Sequence, residues 1–170
     1  MIVIPPDTLD KVEYVFDKAI IPSIARLSIG EVFPLGFVLT VCAIDYLASF
    51  NTGGETRGSD YINFLNEYEW FTRKYIPEDI YKSLRCGLVH NFTIKGDRYI
   101  LGSKEPENHL KTKQFLGESM ICLNLEDFLE DFKRLKNEYF AKVKKPEKNK
   151  TQNFLKRFTE VGFLLPIGIE

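Results

Sequence analysis

The chain has 170 residues, 44% of them hydrophobic, which is the length and apolar content of one domain with a real core and excludes a disordered or low-complexity protein. Charged residues make up 28% and sum to -1, which excludes the overall basicity of a generic nucleic-acid coat or membrane-surface protein. The three cysteines, Cys42, Cys86 and Cys122, lie far apart with no paired spacing, which fits a reducing cytoplasm better than a zinc or disulfide framework.

The opening Met1-Ile2-Val3-Ile4-Pro5-Pro6-Asp7 has no basic lead and an apolar run of only four residues, so no signal peptide is expected. Asp7 or Thr8 then caps a helix whose apolar positions Leu9, Val12, Val15, Phe16, Ala19 and Ile20 recur at steps of three and four, with Pro22 bending it. Pro34 opens a second helix over Leu35 to Phe50 that is apolar on nearly every face and is predicted to be central and buried. The longest uncharged apolar run, Val32 to Ile44, is shorter than the roughly 18 to 20 residues that span a bilayer, so no membrane is expected as a partner. Asp45, the only charge between Glu31 and Glu55, stands in this helix and needs a partner: Arg85, His90 or a tyrosine hydroxyl. It reads either as a group that orients Arg85 or His90, or as a core aspartate that fixes helix packing.

After Asn51-Thr52-Gly53-Gly54, a third helix is predicted from Ser59 or Asp60 through Tyr75, and a fourth from Ile76-Pro77 to His90-Asn91. From Phe92 the period changes to two, with Gly96-Asp97 as a turn between Phe92, Ile94 and Tyr99, Leu101, which predicts a β-hairpin insertion over about 92–123. Within it Met120 to Leu123 adds a short strand, and the polar stretch Gly102 to Gly117 reads as a loop. Asn124 caps a long amphipathic helix whose acidic start and basic end suit the macrodipole, and Pro146 stops it. A last helix over about 150–162 closes at Gly162 and Phe163, and the apolar tail Leu164 to Ile167 needs a covering surface. The prediction is one mainly α domain over 1–170, an up-and-down helical bundle of about five to six helices with a small β-hairpin insertion.

No glycine-rich phosphate loop, no His and Cys ligand cluster and no Ser-His-Asp trio stands out, so no cofactor or metal is expected. What remains is Arg85 and His90 on the fourth helix. With Leu84 set inward on an ideal helix, Arg85 falls about 100° to one side and His90 about 120° to the other. Lys82, Cys86 and Val89 lie between them, and the small residues Ser83 and Gly87 leave room for another backbone. That predicts a homodimer through the fourth helix, with Arg85 of one chain approaching His90 of the other. The helix dipole favours the cationic form of His90 for proton donation, and Arg85 suits a phosphate. The plain alternative is an Arg85–Glu78 surface ion pair, with His90 merely ending the helix.

The strings Leu84-Arg85-Cys86-Gly87-Leu88-Val89-His90-Asn91-Phe92 and Ala43-Ile44-Asp45-Tyr46-Leu47-Ala48, in an all-helical frame, resemble the HEPN superfamily. The resemblance implies a dimerising helical bundle, in many members a metal-independent endoribonuclease, with Arg85 and His90 as the signature pair. Asp45, Cys86 and Asn91 support it, and Cys86 departs from the family by standing where a polar asparagine, aspartate or histidine is typical. The family also contains non-catalytic members, and toxins held by a nucleotidyltransferase-like antitoxin. RNA is the substrate implied. Charge is uneven: residues 1–90 carry 8 basic and 12 acidic groups (net -4), residues 91–170 carry 15 and 12 (net +3). Ten Lys or Arg fall within Lys133 to Arg157, so Lys142, Lys144 and Lys145, together with Lys82 on the outward face of the fourth helix, are candidate phosphate contacts. The two functional readings are a homodimeric ribonuclease and a non-catalytic helical module that binds a protein or nucleic acid.

Overall fold

A computed structural model of the chain describes residues 6–29, 32–96, 98–145 and 148–160. The expected cap and turn at Pro5, Asp97, Pro146 and Gly162, and the tail Leu164 to Ile167, lie outside the described residues. Among those described the chain is mainly α, with one small sheet inserted before the last long helices. Helix α1 spans 6–27; a π-type turn at Phe16–Ile20, in which the Ile21 N–H bonds five residues back to Phe16, immediately precedes the helix-disrupting Pro22. Helices α2 (Phe33–Thr52), α3 (Gly58–Asn66) and α4 (Glu69–Lys74) follow. The predicted third helix is thus split, because Tyr68 is extended (φ -118°, ψ 92°) and its ring is buried in the core.

Helix α5 spans 77–91 and is π-helical over Ile80–Cys86. Strands β1 (Tyr99–Gly102), β2 (Thr112–Phe115) and β3 (Glu118–Asn124) form a sheet in the order β1-β3-β2, and α6 (Leu125–Lys144) and α7 (Lys148–Glu160) complete the chain.

The hairpin lies elsewhere than predicted. It joins β2 and β3, with Phe115 opposite Glu118 across a two-residue turn at Leu116 and Gly117, both at positive φ (51° and 89°). Strand β1 pairs in parallel with β3, Tyr99 opposite Ile121. The segment expected as the first hairpin strand instead folds back to end α5. Phe92 is left-handed (φ 52°), the Thr93 N–H bonds to Gly87 O and the Lys95 N–H to Ser83 O. Gly87 permits this return, since a Cβ there would sit 2.3 Å from Thr93 O.

Helix α2 is apolar all round because it is the centre of the bundle, packed against α1, α5, α6 and α7. Its length and composition would also pass for a membrane span, but 56% of its most apolar window is buried within the fold. Aromatic side chains fill the space around it: Phe37 stacks on Phe128, Phe16 meets Phe140 edge-on, and Phe50 packs on Phe154 of α7.

A directional hydrogen-bond chain ties the sheet insertion to the bundle. The Asn124 N–H donates to His109 Nδ1 (3.1 Å), His109 Nε2 meets the Tyr75 hydroxyl (2.9 Å), and that hydroxyl donates to Asp131 (2.7 Å), which also holds Lys74. An acceptor Nδ1 fixes His109 as a neutral imidazole. Burial pushes its pKa down, Lys74 adds to this, and Asp127 and Asp131 oppose it. The unfolded chain therefore binds the proton more readily. The stability His109 contributes is complete above the ordinary histidine value of about 6.5 and is lost as pH falls towards the lower folded value. Thermal melts between pH 7 and pH 5 are expected to show a fall in Tm that is shallower in His109→Gln. An equally steep fall in both contradicts this.

Candidate functional site

Helix α2 presents Asp45, and α5 brings Arg85 to it. Arg85 donates to one oxygen of that carboxylate twice, from Nη2 at 2.7 Å and from Nε at 3.0 Å. The side chains are only 20% and 23% exposed, so the pair is partly desolvated and held by both charge and hydrogen bonds. Burial alone would lower the Arg85 pKa, but the Asp45 hydrogen bond and charge outweigh it and hold the guanidinium above its ordinary value. The lone charge of α2 thus pairs with Arg85, and Arg85 does not pair with Glu78.

The third donor direction of Arg85, Nη1, lies 3.0 Å from His90 Nε2. The two side chains that an ideal helix splays apart therefore meet within one chain. Arg85 belongs to the π-helical stretch, where the 100° step does not hold, and its long side chain spans the rise of about 7.5 Å that separates positions five apart. A guanidinium has only donors, so at this contact His90 Nε2 accepts and the imidazole is neutral, with its proton on Nδ1. No second copy of the chain is needed to bring the pair together. Nor do Ser83 and Gly87 admit another chain, because the protein's own residues 93–95 cover them.

An aromatic platform supports the arginine. Its Cζ lies 5.9 Å from the Tyr81 ring centre, Tyr81 packs on Tyr61 at 5.3 Å, and Gly58 leaves the space that the Tyr81 ring occupies. The Tyr81 pKa is raised, chiefly by the neighbouring Cys86 thiol and then by burial. Cys86 thus stands beside this platform, where the family resemblance implies a polar residue. Tyr61 is fully buried, its pKa is pushed up by that burial, and its hydroxyl has no hydrogen-bond partner. Asp45, Cys42 and Arg85 all act on it electrostatically. Burial likewise raises the Cys42 thiol, keeping it protonated.

An open, polar cleft of about 320 Å³ is bordered by the Asp45–Arg85 pair, whereas His90 is not among its lining residues. Asp45 and Arg85 form one end of its lining; Ser49 and Tyr46 of α2, Glu55 and Thr56 of the following loop, and Arg157 of α7 complete most of the rest. The other predicted residues are placed less centrally. Asn91 ends α5 on the surface, and Lys82 and Lys145 are exposed. Lys142 lies 3.8 Å from the Tyr68 ring centre and near Glu67, and Lys144 pairs with Glu13 at 2.9 Å. None of these lysines lines the cleft. Arg157, within the basic run but not singled out there, does. Among the described residues no group of three or more His, Cys, Asp or Glu is placed to hold a metal ion.

No family model, no curated protein and no solved structure matches the chain.

Removing either partner of the Asp45–Arg85 pair leaves a partly buried ionic group without its hydrogen bonds. Asp45→Asn and Arg85→Gln are each expected to lower the unfolding free energy by about 1.5–3 kcal/mol, and the double variant by clearly less than the sum. Urea unfolding measures this. Additive losses, or none, contradict a coupled pair.

Proposed function

We propose that the chain is a metal-independent endoribonuclease acting through Arg85 and His90, in line with the HEPN resemblance. The observation that carries this reading is the Asp45–Arg85–His90 chain of contacts, in which a carboxylate aims a guanidinium and the guanidinium touches an imidazole with an available lone pair. A phosphate oxygen entering the site takes over the Nη1 donor and so releases His90 Nε2. That nitrogen then accepts the proton of the adjacent ribose 2′-hydroxyl as its oxygen attacks phosphorus. Arg85 stabilises the extra negative charge on the five-coordinate phosphorus, the 5′-oxygen leaves and takes a proton, and a 2′,3′-cyclic phosphate remains. Water supplies that proton, and the His90 imidazolium returns its own to the hydroxide so formed, which restores the neutral ring; a twofold assembly would set a second such site beside the first. Exposed Leu35 and Leu39 on α2, and Phe92 just beyond the end of α5, offer apolar surface for such a contact.

A second reading is a non-catalytic binding module, and one observation favours it. Cys86, in the place of a polar family residue, lies beside Tyr81 and raises the pKa of its hydroxyl. Incubation with single-stranded RNA in EDTA separates the two. The ribonuclease reading predicts RNA cleavage with cyclic phosphate ends and intact DNA of the same sequence, because DNA lacks the nucleophile. Arg85→Ala and His90→Ala are each expected to lose about 100-fold or more in rate. RNA left whole over a range of pH, or both variants cleaving normally, overturns it.

A further inference from the structure

Arg85 is not the only guanidinium fixed along α2. Arg157, on α7, donates from Nε to the Ser49 hydroxyl at 3.0 Å, and its side chain is only 17% exposed. Ser49 stands one helical turn beyond Asp45, the anchor of Arg85, so the two anchors lie about 6 Å apart along the helix axis. That is the order of separation between neighbouring phosphates of one polynucleotide strand. Both arginines line the same cleft. We propose that Arg157 holds the phosphate next to the one held by Arg85, on a single RNA strand laid along α2. The identity of the strand rests on the ribonuclease reading above.

The placement of Arg157 is built in. Helix α7 reaches the end of α2 closely enough that a Cβ on Gly53 would lie 2.9 Å from Asn153 Cα, and Gly53 is left-handed (φ 75°) as the cap of α2. The Asn153 side chain then donates to Asn51 O at 2.7 Å. These contacts lock α7, so its arginine is oriented before any ligand arrives and loses little freedom on binding. The Glu160 carboxylate lies 3.8 Å from its Nη1, longer than a hydrogen bond, so this pair does not use up its donors. Of the two acidic residues in the cleft, Asp45 is neutralised by Arg85, whereas Glu55 is exposed and opposes an incoming phosphate.

The test is fluorescence anisotropy with a labelled single-stranded 2′-O-methyl RNA hexamer, which has no free 2′-hydroxyl and is not cut, measured across a salt series. Relative to wild type, Arg157→Gln is expected to bind about tenfold more weakly, and the slope of log affinity against log salt is expected to fall by about 0.7, the value for one phosphate of a single strand. Arg157→Lys, which keeps the charge but cannot reproduce the Ser49 contact, is expected to keep the slope. Lys156→Gln, a charge removed from the same helix outside the cleft, leaves it nearly unchanged, and Glu55→Gln tightens binding. If wild type cleaves RNA but Arg157→Gln binds the hexamer with unaltered affinity and slope, this assignment fails while the ribonuclease reading stands. If wild type neither cleaves RNA nor binds the hexamer, both fail. If Arg157→Lys loses the slope as Arg157→Gln does, the residue acts by holding Ser49 and not by its charge, and the assignment is overturned.

Discussion

One carboxylate on the most apolar helix sets the terms for the rest of the site. Asp45 stands on α2 between buried turns of Val41, Ile44, Leu47 and Ala48, and a charge there persists because Arg85 answers it with two hydrogen bonds to a single oxygen. That anchoring leaves the Nη1 group free of the carboxylate, and it reaches His90. Stability and chemistry are thereby joined in the same contact. The ion pair helps to dock α5 on α2, and the docking aims the nitrogen that a phosphate would meet.

Much of what surrounds this pair serves to hold α5 in place. The return of residues 92–95 over Gly87 closes the end of the helix just beyond His90. On the other side Tyr81, wedged over Gly58 and against Tyr61, keeps Arg85 from swinging away. The sheet is fixed separately, through His109, Tyr75 and Asp131, to α4 and α6. A site framed by packed aromatics and satisfied hydrogen bonds has little reorganisation to undergo, which is the condition for electrostatic help to a transition state.

The sequence made the elements with strong periodicity legible. The amphipathic stripe of α6, the all-apolar α2 and the end of α5 at His90 and Asn91 all lie where the pattern placed them. So does Asp45 as a charge in need of a partner. The π-helical stretch was not legible, because it changes how successive side chains are disposed around the helix and no residue type announces it. The hairpin was misplaced for a related reason. Gly96-Asp97 has the composition of a turn, but the backbone of Phe92 to Lys95 is taken up in ending α5, while the true turn uses Leu116, which composition does not mark. Arg157 was hidden in a basic run, and its partner Ser49 is 108 residues away, a separation that no local pattern spans.

The central claim is that Asp45, Arg85 and His90 form one connected set within a single chain. Nitrogen NMR of the His90 ring tests it most directly, because a guanidinium donor at Nε2 must leave the proton on Nδ1. The wild-type protein is expected to show the Nδ1–H form, and Asp45→Asn, where Arg85 loses its anchor, a shift towards the Nε2–H form. An Nε2–H ring in wild type, unchanged by Asp45→Asn, would contradict it.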